Sequence, residues 1–125
     1  MMDYKYKIIV IDDNELILKL VETIFQGTDF TVKIISHAKD IIREIKAFQP
    51  DIILLDVKLY GQSGIEVVKL IKMDKDIRTI PVIAFTSYAM KEDKQKFLEM
   101  GYDGYLSKPI NIYTFVQEIQ QYIKR

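Results

Sequence analysis

Short apolar runs alternate five times with stretches of helical periodicity, and this alternation constrains the fold more than any other feature of the chain. The runs are apolar throughout, which is typical of strands that helices cover on both faces. Repeated strand–helix units with short connections predict a single doubly wound parallel α/β sheet. The expected strands cover 7–11, 31–35, 51–55, 81–85 and 103–107, and the expected helices cover 15–26, 38–48, 64–73, 91–100 and 112–123. Because crossovers are right-handed, 2-1-3-4-5 is the expected strand order.

Composition fits one globular domain and excludes several classes of function. The 125 residues are close to the commonest domain size, so we expect one domain over 1–125 with no output domain. Lys plus Arg and Asp plus Glu both number 18, and this balance argues against direct nucleic-acid binding. The absence of cysteine excludes disulfides, thiolate metal sites and cysteine nucleophiles. Without a long apolar segment or a signal peptide, we expect a cytoplasmic protein that makes no use of a membrane.

Polar residues close four of the five apolar runs. Asp12 and Asp13 follow the first run, Asp56 the third, Thr86 the fourth and Lys108 the fifth. The carboxyl ends of parallel strands meet at one edge of the sheet, where ligands bind in folds of this class. The sequence therefore predicts a site with three carboxylates, a hydroxyl and an ammonium group.

This residue set suits a divalent cation and a phosphoryl group. Clustered carboxylates need compensation to stay ionised, and Mg²⁺ prefers oxygen ligands. Asp13 and Asp56 are the expected direct ligands, with Asp12 acting through water. A simpler interpretation is that Asp12 and Asp13 cap the following helix, although one Asp would suffice. Asp56 is the candidate nucleophile toward a phosphoryl donor, and Thr86 and Lys108 are placed to contact the transferred group.

The chain resembles the receiver domain of bacterial response regulators, including single-domain regulators of chemotaxis, sporulation and cell division. The resemblance covers nearly the whole chain, and its motifs are Ile-Asp-Asp at 11–13, Leu-Leu-Asp-Val at 54–57, Gly64, Phe-Thr-Ser at 85–87 and Leu-Ser-Lys-Pro at 106–109. It implies a flavodoxin-like fold, Mg²⁺ as cofactor, and phosphotransfer to Asp56 from a histidine kinase or histidine phosphotransferase. It also implies a cis Lys108–Pro109 bond and a backbone carbonyl of Lys58 on the metal.

The same resemblance implies a switch and a means of setting its lifetime. Thr86 is expected to move toward the phosphoryl group while Tyr105 turns inward, so that the surface of the fourth helix, fifth strand and fifth helix changes its downstream protein target. A half-exposed strand residue is the simpler interpretation of Tyr105. Lys58 and Tyr88 occupy the two positions that often set phosphoryl lifetime, and their bulk predicts slow hydrolysis. Beyond weak self-dephosphorylation, no enzymatic activity is expected.

The first helix offers a candidate docking pad. Its apolar residues recur at i, i+3, i+4 and i+7, and this spacing predicts a stripe facing the sheet: Ile17, Leu20, Val21 and Ile24. Leu16 and Leu18 fall off this stripe, close to the paired aspartates. They are either ordinary exposed leucines or a pad for the helical bundle of the phosphodonor protein.

Three other classes of protein fit less well. A haloacid dehalogenase-type phosphohydrolase needs Asp-x-Asp, whereas Asp12 and Asp13 are adjacent and Asn14 follows them. A flavodoxin-like electron carrier needs a phosphate-binding loop where these aspartates stand. A degenerate receiver that only binds partners would not need to keep all five site residues.

Overall fold

Five strands form the central sheet of the computed structural model, which describes residues 5–37, 39–59, 62–87 and 93–123. The sheet strands are β1 (Tyr6–Ile11), β2 (Phe30–Ile35), β3 (Ile52–Asp56), β6 (Val82–Thr86) and β7 (Gly104–Ser107). A small antiparallel hairpin follows β3 and consists of β4 (Lys58–Leu59) and β5 (Gln62–Ser63). The helices are α1 (Glu15–Phe25), α2 (Ile41–Phe48), α3 (Gly64–Met73), α4 (Asp93–Glu99) and α5 (Phe115–Gln120).

The strand order confirms the predicted architecture. The order is β2-β1-β3-β6-β7, which is 2-1-3-4-5 for the five sheet strands, and every pair is parallel. In register, Leu55 lies beside Ala84, and Asp56 lies beside Phe85. The carboxyl ends of β1, β3, β6 and β7 therefore share one edge. The hairpin of β4 and β5 was not predicted, because its strands are too short to show a pattern.

Two apolar clusters cover the two faces of the sheet. Alternate residues of each strand belong to opposite clusters, as the pleat requires. One cluster joins the sheet to α1 and α5, and the other joins it to α2, α3 and α4. All residues from Ile52 to Leu55 are fully buried, and this explains why the sequence of β3 is apolar without alternation.

The buried face of α1 differs from the prediction. Leu18 is only 3% exposed and packs in the core with Val21 and Phe25, whereas Leu20 is 39% exposed. The prediction that Leu18 lies off the core stripe is therefore wrong, and a buried Leu18 does not belong to a docking pad. Phe25 explains the difference, because its ring packs 4.7 Å from the ring of Phe30 and anchors the helix one position away from the predicted phase. Leu16 is 79% exposed, as predicted.

Side chains and special backbone conformations mark the helix ends. Asn14 caps α1 by accepting hydrogen bonds from the backbone N–H groups of Leu16 and Ile17. Gly101 follows α4 with a φ of 110°, a left-handed conformation in which glycine commonly ends a helix. The predicted start of the fifth helix near residue 112 is too early, because residues 111–114 form a turn in which Asn111 Oδ1 accepts from the backbone N–H of Tyr113. Among the described helices, none has the length and apolar character needed to cross a membrane.

A polar clasp ties α3 to the strands at the amino edge of the sheet. The Lys72 ammonium donates to the carbonyls of Arg78 and Ile80 and to Asp103 Oδ2, the last at 2.7 Å. The same Asp103 oxygen accepts the backbone N–H of Val82 at 2.8 Å. One lysine and one carboxylate thus hold the loop after α3 against the starts of β6 and β7, at the end of the sheet opposite the strand-end aspartates.

Candidate functional site

Three carboxylates meet at the carboxyl edge of the sheet. Asp12 and Asp13 follow β1, Asp56 ends β3, and carboxylate oxygens of all three lie within 4.8 Å of one another. Asp12 is fully buried and Asp56 is 8% exposed, whereas Asp13 is exposed. Asp12 Oδ1 accepts the backbone N–H of Asn14 at 2.9 Å. Since Asn14 caps α1, the interpretation of Asp12 and Asp13 as side-chain caps of that helix is wrong.

Lys108 brings a positive charge to this edge. Its Nζ lies 2.8 Å from Asp12 Oδ2 and 3.8 Å from Asp56 Oδ2. The same ammonium lies over the ring of Phe85, 4.8 Å from its centroid. At this distance the face of an aromatic ring attracts a cation. The Lys108–Pro109 bond is cis, as the resemblance implied. One ammonium thus compensates part of the charge of two carboxylates.

Thr86 and Tyr105 lie on the neighbouring strands. Thr86 is the last residue of β6, is 3% exposed, and accepts the backbone N–H of Lys108 through its carbonyl at 2.9 Å. Tyr105 lies in β7 beside Ala84 and is half-buried, with its ring 6.1 Å from that of Phe97 in α4. Tyr105 is therefore the half-exposed strand residue of the simpler interpretation. Its inward turn on phosphorylation stays a prediction.

A glycine holds the loop that follows Asp56. The backbone N–H of Gly64 donates to the carbonyl of Val57 at 2.9 Å, and this bond closes the loop around the β4–β5 hairpin. A Cβ on Gly64 would stand 2.9 Å from the Val57 carbonyl oxygen and closer still to that of Asp56. Both contacts are to backbone, so this position has no room for a side chain. The close approach gives a physical reason for Gly64 in the motif.

The structure says less about the other residues predicted for the site, which are Lys58, Tyr88 and Leu16. Lys58 begins β4 two residues after Asp56, and its carbonyl role stays a prediction. Tyr88 lies outside the described residues, so its shielding role also stays a prediction. Leu16 is exposed in the first turn of α1, next to the aspartates that follow β1.

The acidic cluster fits a divalent cation. Asp12 Oδ2 is completely buried and accepts no hydrogen bond from the described residues, although Lys108 pairs with it by charge. Within the part of the chain that the structure describes, Lys108 is the one cation paired with these three carboxylates, so the described cluster keeps an excess of negative charge. Mg²⁺ prefers oxygen ligands, and this cluster offers three carboxylates, of which that of Asp13 is exposed. The residues present therefore fit the metal.

Sequence reasoning missed two contributors to the site. Phe85 provides the ring beneath Lys108, and Asn14 orders the turn that carries Asp12 and Asp13. A signal existed for Asn14, because an Asn just before a helical pattern is a strong cap candidate. Phe85 was noted only as part of the Phe-Thr-Ser motif, and its contact with Lys108 left no signal, since an apolar residue at a strand end is ordinary.

The fold and the carboxylate cluster define the class of protein. The family model described as the response regulator receiver domain matches residues 8–120. The chain therefore belongs to the response regulator receiver family, a family of signalling proteins and not of enzymes in the classical sense. This match confirms the resemblance that the strand-end motifs indicated.

Individual relatives agree with this assignment. The chain is 38% identical over 119 residues to the polar-differentiation response regulator DivK of Brucella ovis, and the match covers 93% of this chain and 94% of the relative. The chemotaxis response regulator CheY4 of Vibrio cholerae shares the fold with a TM-score of 0.86 at 24% identity, over 94% of this chain and 98% of that one. The N-terminal domain of the nisin resistance regulator NsrR has a TM-score of 0.83 at 28% identity, over 96% of this chain and 99% of that domain.

Proposed function

We propose that the chain is a phosphorylation-dependent switch, in which Asp56 accepts a phosphoryl group from a histidine kinase or histidine phosphotransferase. The observation that carries the proposal is the joint placement of Asp12, Asp13 and Asp56 with Lys108 at one sheet edge. A carboxylate with a purely structural role would not need two further carboxylates and an ammonium group beside it. We further propose that it acts in the cytoplasm.

Each side chain has a role in the proposed reaction. A carboxylate oxygen of Asp56 attacks phosphorus as the bond to the donor nitrogen breaks, so the product is an acyl phosphate and a free histidine. Asp12, Asp13 and the Lys58 carbonyl would hold Mg²⁺, with Asp56 as a shared ligand. A bound cation would supply charge neutralisation at the phosphoryl oxygens. Lys108 binds one of these oxygens by its charge, and its existing contacts to Asp12 and Asp56 keep it within reach.

The phosphoryl group then biases two states of the domain. Contacts of the phosphoryl oxygens with Thr86 and Lys108 exist only after transfer, so they supply the differential interaction that a population shift requires. Tyr105 follows Thr86 inward, and the surface of α4, β7 and α5 changes. The outer side of α5 carries exposed Gln117 and Gln120 and little charge, which suits a downstream protein target.

The lifetime of the acyl phosphate depends on access of water to phosphorus. We propose that Lys58 and Tyr88 shield the group and make self-dephosphorylation slow. Replacing both residues with Ala is expected to speed the loss of the phosphoryl group, measured as decay of the phosphorylated mass after removal of the donor. An unchanged decay rate would contradict this shielding.

The phosphodonor protein docks beside Asp56 in this proposal, with Leu16 as an apolar contact. Leu16 is 79% exposed at the carboxyl edge, and Ile112 and Tyr113 expose apolar surface in the connection after β7 at the same edge. Leu16→Ser is expected to slow transfer from the protein donor but not from acetyl phosphate, because a small donor needs no docking surface. Equal slowing with both donors would contradict the pad.

The decisive experiment is intact mass after incubation with acetyl phosphate and Mg²⁺. Wild type is expected to gain the mass of one phosphoryl group, and Asp56→Asn or added EDTA is expected to abolish the gain. Asp13→Asn serves as a metal-ligand control that should slow the reaction while leaving Asp56 in place. No adduct on wild type under any metal condition would overturn the proposed function and favour a receiver that only binds partners.

A further inference from the structure

Three aromatic rings connect α4 with β7. The ring of Phe97 in α4 contacts the rings of Tyr102, which lies between the two elements, and of Tyr105, which lies in β7. The rings of Phe97 and Tyr102 meet edge-on, with 5.9 Å between their centroids and an interplanar angle of 84°. The rings of Phe97 and Tyr105 are 6.1 Å apart and tilted by 37°. Both separations lie in the range in which aromatic pairs attract each other.

The turn that ends α4 holds Phe97 against Tyr102. The backbone N–H of Tyr102 donates to the carbonyl of Phe97, and that of Gly101 donates to the carbonyl of Leu98, both at 3.1 Å. With Gly101 at a positive φ, these two bonds form a Schellman motif, in which the residues at the two ends of the motif make an apolar contact. Phe97 is 7% exposed and Tyr102 is 2% exposed, and both belong to the core. Phe97 therefore has little freedom to change its position.

Tyr105 is less confined than Phe97. It lies in β7, the last strand at one side of the sheet, and is half-buried. A side chain changes its position by turning from one staggered well to another at χ1, and such a turn moves the whole ring. Because Tyr102 and the turn after α4 hold Phe97, it cannot follow Tyr105. The contact of Phe97 with Tyr105 therefore belongs to the half-buried position of Tyr105, and we expect an inward turn to break it.

We propose that Phe97 is a positioning residue for the switch, because its contact with Tyr105 favours the half-buried position of that ring and opposes the inward one. The inference rests on the proposed function, in which a phosphoryl group on Asp56 favours the inward position. A contact that exists in only one of two states shifts the equilibrium toward that state. The contact thus lowers the population of the inward state before phosphorylation. It lowers the apparent affinity for a phosphoryl analogue by the same factor.

The test measures how tightly beryllium trifluoride, a stable analogue of the phosphoryl group, binds in the presence of Mg²⁺. Calorimetric titration compares wild type, Phe97→Leu, Tyr105→Leu and the double variant, at a temperature where unfolding curves show all four to be folded. Phe25→Leu is the matched control, because Phe25 is also buried and packs against an aromatic ring, on the opposite face of the sheet. Fluorine NMR of protein labelled with fluorotyrosine follows Tyr105 directly, and its resonance is identified by its absence from Tyr105→Leu.

Phe97→Leu is expected to bind the analogue about threefold more tightly than wild type, the size expected for the loss of one aromatic pair. Without the analogue, its Tyr105 resonance should move part of the way toward the position that it has in wild type with the analogue bound. In protein that already carries Tyr105→Leu, Phe97→Leu should have no further effect on affinity, because the contact is then absent. Phe25→Leu should lose stability but bind the analogue as wild type does.

Two results would overturn the inference and leave the proposed function standing. One is that Phe97→Leu binds the analogue no more tightly than wild type, or leaves the Tyr105 resonance in place. The other is an equal gain in affinity in Phe97→Leu and Phe25→Leu, since general loosening of the core would then be the cause. Failure of wild type itself to bind the analogue would overturn the proposed function and the inference together.

Discussion

Replacing Gly64 with Ala tests whether the close approach at the start of α3 positions the phosphoacceptor. The new Cβ would meet the carbonyl oxygens of Asp56 and Val57, the second at 2.9 Å, and neither backbone group moves without displacing the end of β3. Overpacking of this kind costs about 1–3 kcal/mol, and the better helix propensity of Ala returns at most about 1 kcal/mol. We expect a net loss of about 1–2 kcal/mol in the free energy of unfolding, which lowers Tm by roughly 4–8 °C.

The larger effect of Gly64→Ala is expected on the chemistry. A shift of about 1 Å in a reacting group costs on the order of a hundredfold in rate. We therefore expect phosphorylation of the folded variant by acetyl phosphate to slow about a hundredfold. The assay is the rate of mass gain by intact mass spectrometry, at a temperature where unfolding curves show wild type and variant to be fully folded.

Gly104→Ala provides a matched control, because it adds the same methyl group at another crowded glycine. There the Cβ would stand 2.6 Å from Tyr122 Cζ, an atom in a ring near the chain terminus and away from the carboxylates. This variant should lose stability and keep the wild-type phosphorylation rate. If Gly64→Ala is phosphorylated as fast as Gly104→Ala, the argument that Gly64 positions Asp56 is refuted.

Three further predictions concern other parts of the molecule. Leu18→Ala should lower the free energy of unfolding by about 2–5 kcal/mol, whereas Leu16→Ala should change it by less than about 0.5 kcal/mol. Urea denaturation measures both values, and equal effects would contradict the observed buried face of α1. Lys108→Met should destabilise the protein by about 3 kcal/mol in EDTA, because it leaves buried Asp12 without its cation. Millimolar Mg²⁺ should restore much of that loss in urea titrations, and no restoration would argue against a cation at the cluster. The Lys46 ammonium lowers the pKa of Asp74, so the stability from this pair is present above the unfolded pKa of Asp74 and is lost as pH falls through the folded one. Asp74→Asn should therefore flatten the acid side of a plot of Tm against pH, and an unchanged slope there would contradict the contribution.

The sheet was predictable from sequence because its strands are short apolar runs with polar ends. When a strand is buried on both faces, the change from apolar to polar residues marks its end in the sequence. Asp56 and Thr86 are the last residues of β3 and β6. The face of α1 was not predictable in the same way. Apolar residues occupy five of the six positions from 16 to 21, so two stripes fit the helical period equally well. Packing of Phe25 against Phe30, a contact between helix and strand, decides between them.

The candidate site was predictable to the level of which residues meet, but not how they are held. Strand topology alone brings the three aspartates and Lys108 to one edge. The closeness of Gly64 to the carbonyl of Asp56 depends on the path of a loop, and the position of the Lys108 ammonium over the ring of Phe85 depends on side-chain packing across two strands. Neither relation leaves a periodic trace in the sequence, because each joins residues from different elements.

From the clasp at the amino edge we expect the two ends of the sheet to differ in rigidity. Because Asp103 takes the Val82 amide and the Lys72 ammonium on one oxygen, breaking that amide bond also disrupts an ion pair. In hydrogen-exchange terms, the Val82 amide should open only with global unfolding, whereas amides beside the carboxylates should open in local fluctuations of lower free energy. Phosphorylation at the carboxyl edge would then displace mainly the loops and helix ends beside it, because the clasp restrains the opposite edge.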